Sequence, residues 1–165
     1  MDKSVIIHSV KSQVLPLSIG RAIIPNNCVA EIVSFEKNLN PVDNSPNWYM
    51  GNISWRGTEL PLVSIDAMVN KNNEMKCPKD EEFKRFIVIN SDRRVSGVDF
   101  VAFPLQGVPR IFESNNNNLY WDKNNRFLKR YKKINVTIEY KGEKLNCFIL
   151  DIEFIDKVFG KFQKK

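Results

Sequence analysis

Trp48-Tyr49-Met50-Gly51-Asn52-Ile53-Ser54-Trp55-Arg56-Gly57-Thr58-Glu59-Leu60-Pro61-Leu62-Val63-Ser64-Ile65-Asp66 is the stretch from which the rest of the chain can be read. Just before it, Asn44 or Ser45 can cap a helix and Pro46 suits a first helical position, so one short helical turn closed by Gly51 is predicted. From Asn52 the residues alternate. Ile53 and Trp55 point one way and Asn52, Ser54 and Arg56 the other, as a half-buried strand requires. Gly57 accepts a positive φ without a Cβ clash and supplies the reversal. Leu60 to Ile65 then returns antiparallel. Pro61 cannot donate a ladder hydrogen bond, so this strand is expected at an edge or with a bulge.

The same signals recur outward from this hairpin. Val14–Ile19, a reversal at Gly20-Arg21 and Ala22–Ile24 read as a hairpin, and Val29–Phe35 as a further strand. In that strand Val29, Glu31, Val33 and Phe35 share a face, which sets a carboxylate among apolar neighbours. Glu31 therefore needs a partner or an exposed position. A short helix is predicted at Ala67–Val69 and a buried strand at Phe86–Ile89. Ser96–Phe103 and Val108–Phe112 read as strands, with Pro104 and Pro109 as breaks. Asn115–Asn118 reads as a loop. Asn135–Tyr140 and Leu145–Leu150 flank a turn at Lys141-Gly142-Glu143. Asp151 caps a final helix with Ile152, Val158, Phe159 and Phe162 at helical spacing. No repeat at a fixed period is visible. The expected fold is mainly β, in small closed or sandwich-like units, with short helices and one C-terminal helix.

The 165 residues suit one domain or two small lobes sharing a core, and the one visible seam lies near residues 66–82. No stretch has the apolar length of a membrane helix, and the run at 5–7 behind Asp2 is too short for a signal peptide, so a cytoplasmic protein is expected. Cys28, Cys77 and Cys147 are odd in number and lack metal-ligand spacing, which argues against a disulfide framework. The net charge of +6 permits an anionic partner, though abundant Lys, Asn and Ile make compositional drift the simpler source. Residues 123–133, basic with interleaved aromatics, read either as a nucleic-acid or membrane contact or as a solvated face with Phe127 and Tyr131 turned inward.

No catalytic set emerges. His8 is the lone histidine, and no nucleophile elbow, P-loop, dinucleotide fingerprint or zinc spacing occurs. No enzyme activity, cofactor or metal is expected. Trp48 and Trp55 read as core residues, with Trp55 nearer an edge.

The order Trp, two residues, Gly, apolar strand, Arg56-Gly57, then a hydrophobic-Pro-hydrophobic return to Asp66 resembles the signature of CheW-like domains, the adaptor modules of bacterial chemosensory arrays. The likeness extends to Val29-Ala30-Glu31-Ile32 and, more weakly, to 135–159 with Leu150-Asp151. It departs in the middle, where Phe103-Pro104-Leu105-Gln106-Gly107-Val108-Pro109-Arg110 replaces the family's Val-Asp-x-Val. That departure, with Trp55 before Arg56, resembles the ChpC-like accessory adaptors of type IV pilus and twitching-motility clusters. The resemblance implies two SH3-like five-stranded barrel lobes whose terminal segments cross over to complete the opposite lobe. It implies an adaptor joining methyl-accepting chemoreceptors to the CheA-like regulatory domain of a histidine kinase, in arrays at the inner face of the membrane. It also implies a partner-binding surface at Glu31, Trp55, Arg56 and Gly57. The alternative reading is a basic β-barrel module that binds nucleic acid.

Overall fold

The structure is a computed structural model and describes residues 9–35, 39–69, 83–121 and 134–165. In chain order the elements are β1 (Val10–Leu17), β2 (Gly20–Pro25), a 3-10 turn (Asn26–Cys28), β3 (Val29–Ser34), β4 (Leu39–Asn40), β5 (Tyr49–Trp55), β6 (Thr58–Val63) and α1 (Ile65–Val69). They continue with β7 (Arg85–Asn90), α2 (Arg93–Ser96), β8 (Phe100–Leu105), β9 (Arg110–Ser114), β10 (Leu119–Trp121), β11 (Ile134–Tyr140), β12 (Glu143–Ile149) and α3 (Ile152–Gln163). The architecture is mainly β with a C-terminal helix, in agreement with the sequence.

The strands form two six-stranded sheets. One runs β9-β1-β2-β12-β11-β10 and the other β3-β7-β8-β6-β5-β4. Position for position the two orders match. In each, neighbours are antiparallel except one central parallel contact, β2 beside β12 and β8 beside β6. Each sheet has five strands of five residues or more and one short strand, β10 or β4. The duplication that the sequence concealed is therefore present in the pairing. Arg56 and Lys141, Gly57 and Gly142, Leu60 and Leu145, and Asp66 and Asp151 each stand 85 positions apart. Side-chain identity drifts faster than strand order, so in the sequence the repeat survives only at scattered positions of the hairpin and of the helix start after it.

The two sheets are built from different parts of the chain. The second takes β3 to β8 in one continuous run, whereas the first joins β9–β12 to the N-terminal β1–β2 hairpin. Residues 66–82, read as the seam, connect β6 to β7 within a single sheet, and 70–82 lie outside the described residues. The chain changes sheets at Asn26–Cys28 and again at 106–109.

Runs without alternation become strands buried on both faces. Leu15, Leu17, Ala22 and Ile24 join Ile87, Ile89, Val101 and Phe103 in a core shared by the sheets and by Ile155 and Phe159 of α3. The intervening residues turn the other way. Val14 and Ile23 enter a cluster with Phe112, Val136, Ile138 and Cys147. Phe86, Val88 and Ala102 enter another with Ile53, Leu60 and Leu62. Each such aliphatic or aromatic side chain contributes about 1.5–3 kcal/mol relative to exposure. Asp151 caps α3 by accepting the Phe154 N–H at 3.0 Å. Buried Asp156 accepts from the Ser91 hydroxyl at 2.6 Å and from the Asp92 N–H at 3.0 Å, which ties α3 to the start of α2.

Several local expectations are corrected. No helical turn forms at 44–51; turns at 43–44 and 47–48 lead directly into β5. Gly51 is needed instead inside the strand, at a register shift with φ +135°, where a Cβ would meet the Asn40 carbonyl oxygen at 2.6 Å. The first hairpin reverses at Ser18-Ile19 rather than Gly20-Arg21. β6 is an interior strand despite Pro61; its registered contact with β8 falls one residue later, at Leu62 opposite Ala102. Pro104 sits within β8 rather than breaking it, and part of the stretch read as strand from Ser96 is the end of α2.

Candidate functional site

The β5–β6 hairpin brings the predicted site residues together. Trp55 pairs with Thr58 across a two-residue loop of Arg56 and Gly57, with φ +49° and +75°. Such a loop needs positive φ at both central positions to match the twist of its strands. Glycine takes this freely, whereas an arginine in the left-handed region costs about 1–2 kcal/mol. Backbone strain of this kind concentrates at functional sites.

Glu31 reaches the loop from β3. Its register against β7 shifts between Val29 and Glu31, and the side chain comes to lie half-buried toward the hairpin. The partner that the sequence demanded of this carboxylate is double. Glu31 Oε2 accepts the Trp55 indole N–H at 2.7 Å and the Arg56 Nε–H at 3.0 Å. The Arg56 guanidinium carbon also lies 5.0 Å from the centre of the Trp55 ring. Trp55 meets Phe100 edge-on, with centroids 5.0 Å apart, and covers the mouth of the core inside its sheet.

Both donors converge on one carboxylate oxygen. Glu31 Oε1 and the terminal nitrogens of Arg56 have no partner among the described residues. The Arg56 side chain is 68% exposed, so the pair adds about 0–1 kcal/mol to the free fold. The arrangement can instead hold a planar fork of donors outward for an incoming carboxylate. Beside it a cleft of about 290 Å³ runs past Trp55, Glu59 and Phe100 to Arg93 and Asp99.

Other candidates fall elsewhere. Trp48 packs edge-on to Phe159 and Phe162 at 6.2 and 5.7 Å and belongs to the shared core. Cys147 is buried and its thiol is pushed up to about 11, while the thiol of part-exposed Cys28 is raised by the same desolvation. Neither is poised as a thiolate nucleophile. His8, Cys77 and the basic run 123–133 lie outside the described residues. Among the described residues no cluster of three or more His, Cys, Asp or Glu gathers to hold a metal, and no helix is long and apolar enough to cross a membrane. A cleft of about 760 Å³ lies apart from the hairpin, between the loop before β5 and α3.

Sequence reasoning missed the indole N–H bridge to Glu31 and the exposed Tyr120 and Trp121 on β10. It also missed that Arg110 joins Lys141 beside the Tyr140 ring, at 5.7 and 5.4 Å from its centre. One signal was available: aromatic, cation, glycine occurs at both Trp55-Arg56-Gly57 and Tyr140-Lys141-Gly142.

The CheW-like domain family model matches residues 14–156. Among solved structures, the chain is similar to the scaffolding protein TtCheW from Thermoanaerobacter tengcongensis. The TM-score is 0.61 at 13% identity, over 92% of this chain and 90% of that one. No curated protein matches the sequence.

Proposed function

The chain belongs to the CheW-like domain family, and from that premise we propose that it is a non-enzymatic chemosensory adaptor. It couples methyl-accepting receptors to the CheA-like regulatory domain of a histidine kinase, at the inner face of the membrane, in chemotaxis or type IV pilus twitching motility. Glu31, Trp55, Arg56 and Gly57 form its partner-binding surface. The observation that carries this reading is the strained, outward-facing Arg56, held by Glu31 and Trp55 yet spending one of its five N–H donors on Glu31.

The test is asymmetric. In the free protein the Arg56 pair is largely solvated, so Arg56→Ala should leave the melting temperature nearly unchanged. At an assembled interface, truncating one member of a charge pair costs about 2–5 kcal/mol. Titration calorimetry against the kinase regulatory domain and against a receptor signalling tip should then show a markedly higher Kd. Arg56→Lys should also weaken binding, because an ammonium cannot present the planar fork. Unchanged affinity for both partners would remove this surface.

A further inference from the structure

The duplicated topology sets a second hairpin, β11–β12, where β5–β6 stands in its own sheet. Its turn repeats the first in detail. Tyr140 replaces Trp55, Lys141 replaces Arg56 at φ +50°, and Gly142 follows at φ +81°. The Lys141 ammonium lies over the Tyr140 ring as Arg56 lies over Trp55. Tyr140 covers the core inside its sheet as Trp55 does.

The difference lies in what the facing outer strand supplies. β3 and β9 hold the same place in their sheets. β3 sends the carboxylate of Glu31 to its hairpin, whereas β9 sends the guanidinium of Arg110. Arg110 and Lys141 thus flank one aromatic ring, and neither has an ion pair among the described residues. They line a cleft of about 480 Å³ with Tyr140 and Glu143, the latter its single carboxylate, and Arg110 continues into a second of about 250 Å³ beside Arg21. Either side of Arg110, Val108 and Ile111 are 65% and 63% exposed.

We propose that the Arg110–Tyr140–Lys141 cleft is a second docking site, which takes a carboxylate side chain from an acidic, partly apolar segment of a protein partner. The first hairpin shows what such a group meets: a cation stacked on an aromatic ring, with the carboxylate oxygen accepting from it. The exposed Val108 and Ile111 favour a protein surface over a free anion, because an interface core combines an Arg anchor with apolar contact. The charge is complementary, and among the described residues β9 is an end strand of its sheet, beside the cleft.

The probe is a short peptide with glutamates set between leucines, titrated into the isotope-labelled full chain and followed by its amide resonances. Saturable shifts at residues 108–113 and 140–143 are expected, apart from any at the Arg56 turn. The glutamine version of the peptide should bind at least about tenfold more weakly. Arg110→Gln with Lys141→Gln, checked for a native amide spectrum, should lose binding by a similar factor, and Arg56→Ala should retain it. No saturable shifts at residues 108–113 and 140–143, or equal binding of the glutamine peptide there, would overturn the proposal. Tighter saturation of the same amides by inorganic phosphate or by phosphatidylserine vesicles would reassign the cleft to a phosphate group and overturn it as well.

Discussion

The two hairpins share turn geometry, the strand register from the turn back to Gly51 and Val136, and even the pattern of burial along β5 and β11, yet their surroundings carry opposite charge. In the first, the arginine touches Glu31 through one donor and holds the others outward. The second collects cations around a tyrosine. The backbone therefore tolerates exchange of surface chemistry at these turns, because a Cβ added at either turn glycine would meet no atom within 4 Å and the aromatic alone closes the core beneath. What must be kept is the positive φ; what can vary is the charge that it presents.

The two halves diverge most in the helices that follow their hairpins, and the largest expected effect lies there. α1 has five residues and α3 twelve, and α3 alone packs against α2 through Gly160. A Cβ at Gly160 would sit 2.0 Å from the Val95 carbonyl oxygen. Gly160→Ala should cost about 2–3 kcal/mol, the upper range for overpacking, measured by urea denaturation. A neutral result would mean that the α2–α3 contact can open without loss.

The turn glycines sharpen the comparison. Gly57→Ala and Gly142→Ala meet only the cost of the left-handed conformation, about 1–2 kcal/mol each. Their denaturation midpoints should fall by similar amounts. A difference beyond error would show that one turn relaxes and that the hairpins are not equivalent.

Asp66 and Asp151 occupy matching positions but do different work. Asp151 caps α3, so Asp151→Ala should cost about 1 kcal/mol in the same denaturation assay. Asp66 instead accepts the Ile19 N–H at 2.8 Å and so ties the β1–β2 reversal to α1. Burial pushes its carboxyl above the ordinary value, against the pull of its bonds to Ile19 and Ser18. A raised acid favours the fold most below its unfolded pKa, roughly 3.9, and this contribution is lost as pH rises through the folded value. Asp66→Asn keeps an acceptor for Ile19 and should flatten that part of the stability curve. Melting temperatures of both proteins across the acidic range give the smallest difference of the set, and parallel curves would rule out the assignment.

The elements legible in the sequence are those with a local cause. Phe86–Ile89 reads as a strand because a short unbroken apolar run fits a strand buried on both faces. Asp151 announces α3, and the placement of Glu31 among apolar neighbours foretold a partner. The geometry of the candidate site was legible in part: the resemblance paired Glu31 with Arg56, which are in contact, while the convergence of Trp55 and Arg56 on one oxygen accompanies a register shift in β3 that no periodicity shows. α2 is four residues long and β10 three, too short for a periodic signal. Arg110 and Lys141 are thirty-one positions apart and meet only through the pairing of β9 with β1 and β2 with β12. Such pairing is set by the whole chain and leaves no mark on either segment.

That pairing also orders events during synthesis. β2 leaves the ribosome long before β12, and Ile23 finds its parallel neighbour only at Ile149. At about 5–20 residues per second the hairpin waits on the order of ten seconds with an edge and an apolar face uncovered. The second sheet, continuous in sequence, can close meanwhile and offer Ile87, Ile89 and Phe103 as a temporary cover for Leu15 and Ile24. A nascent chain halted before β12 would then hold a finished sheet and a hairpin parked against it, still open to the wrong strand from a neighbouring chain.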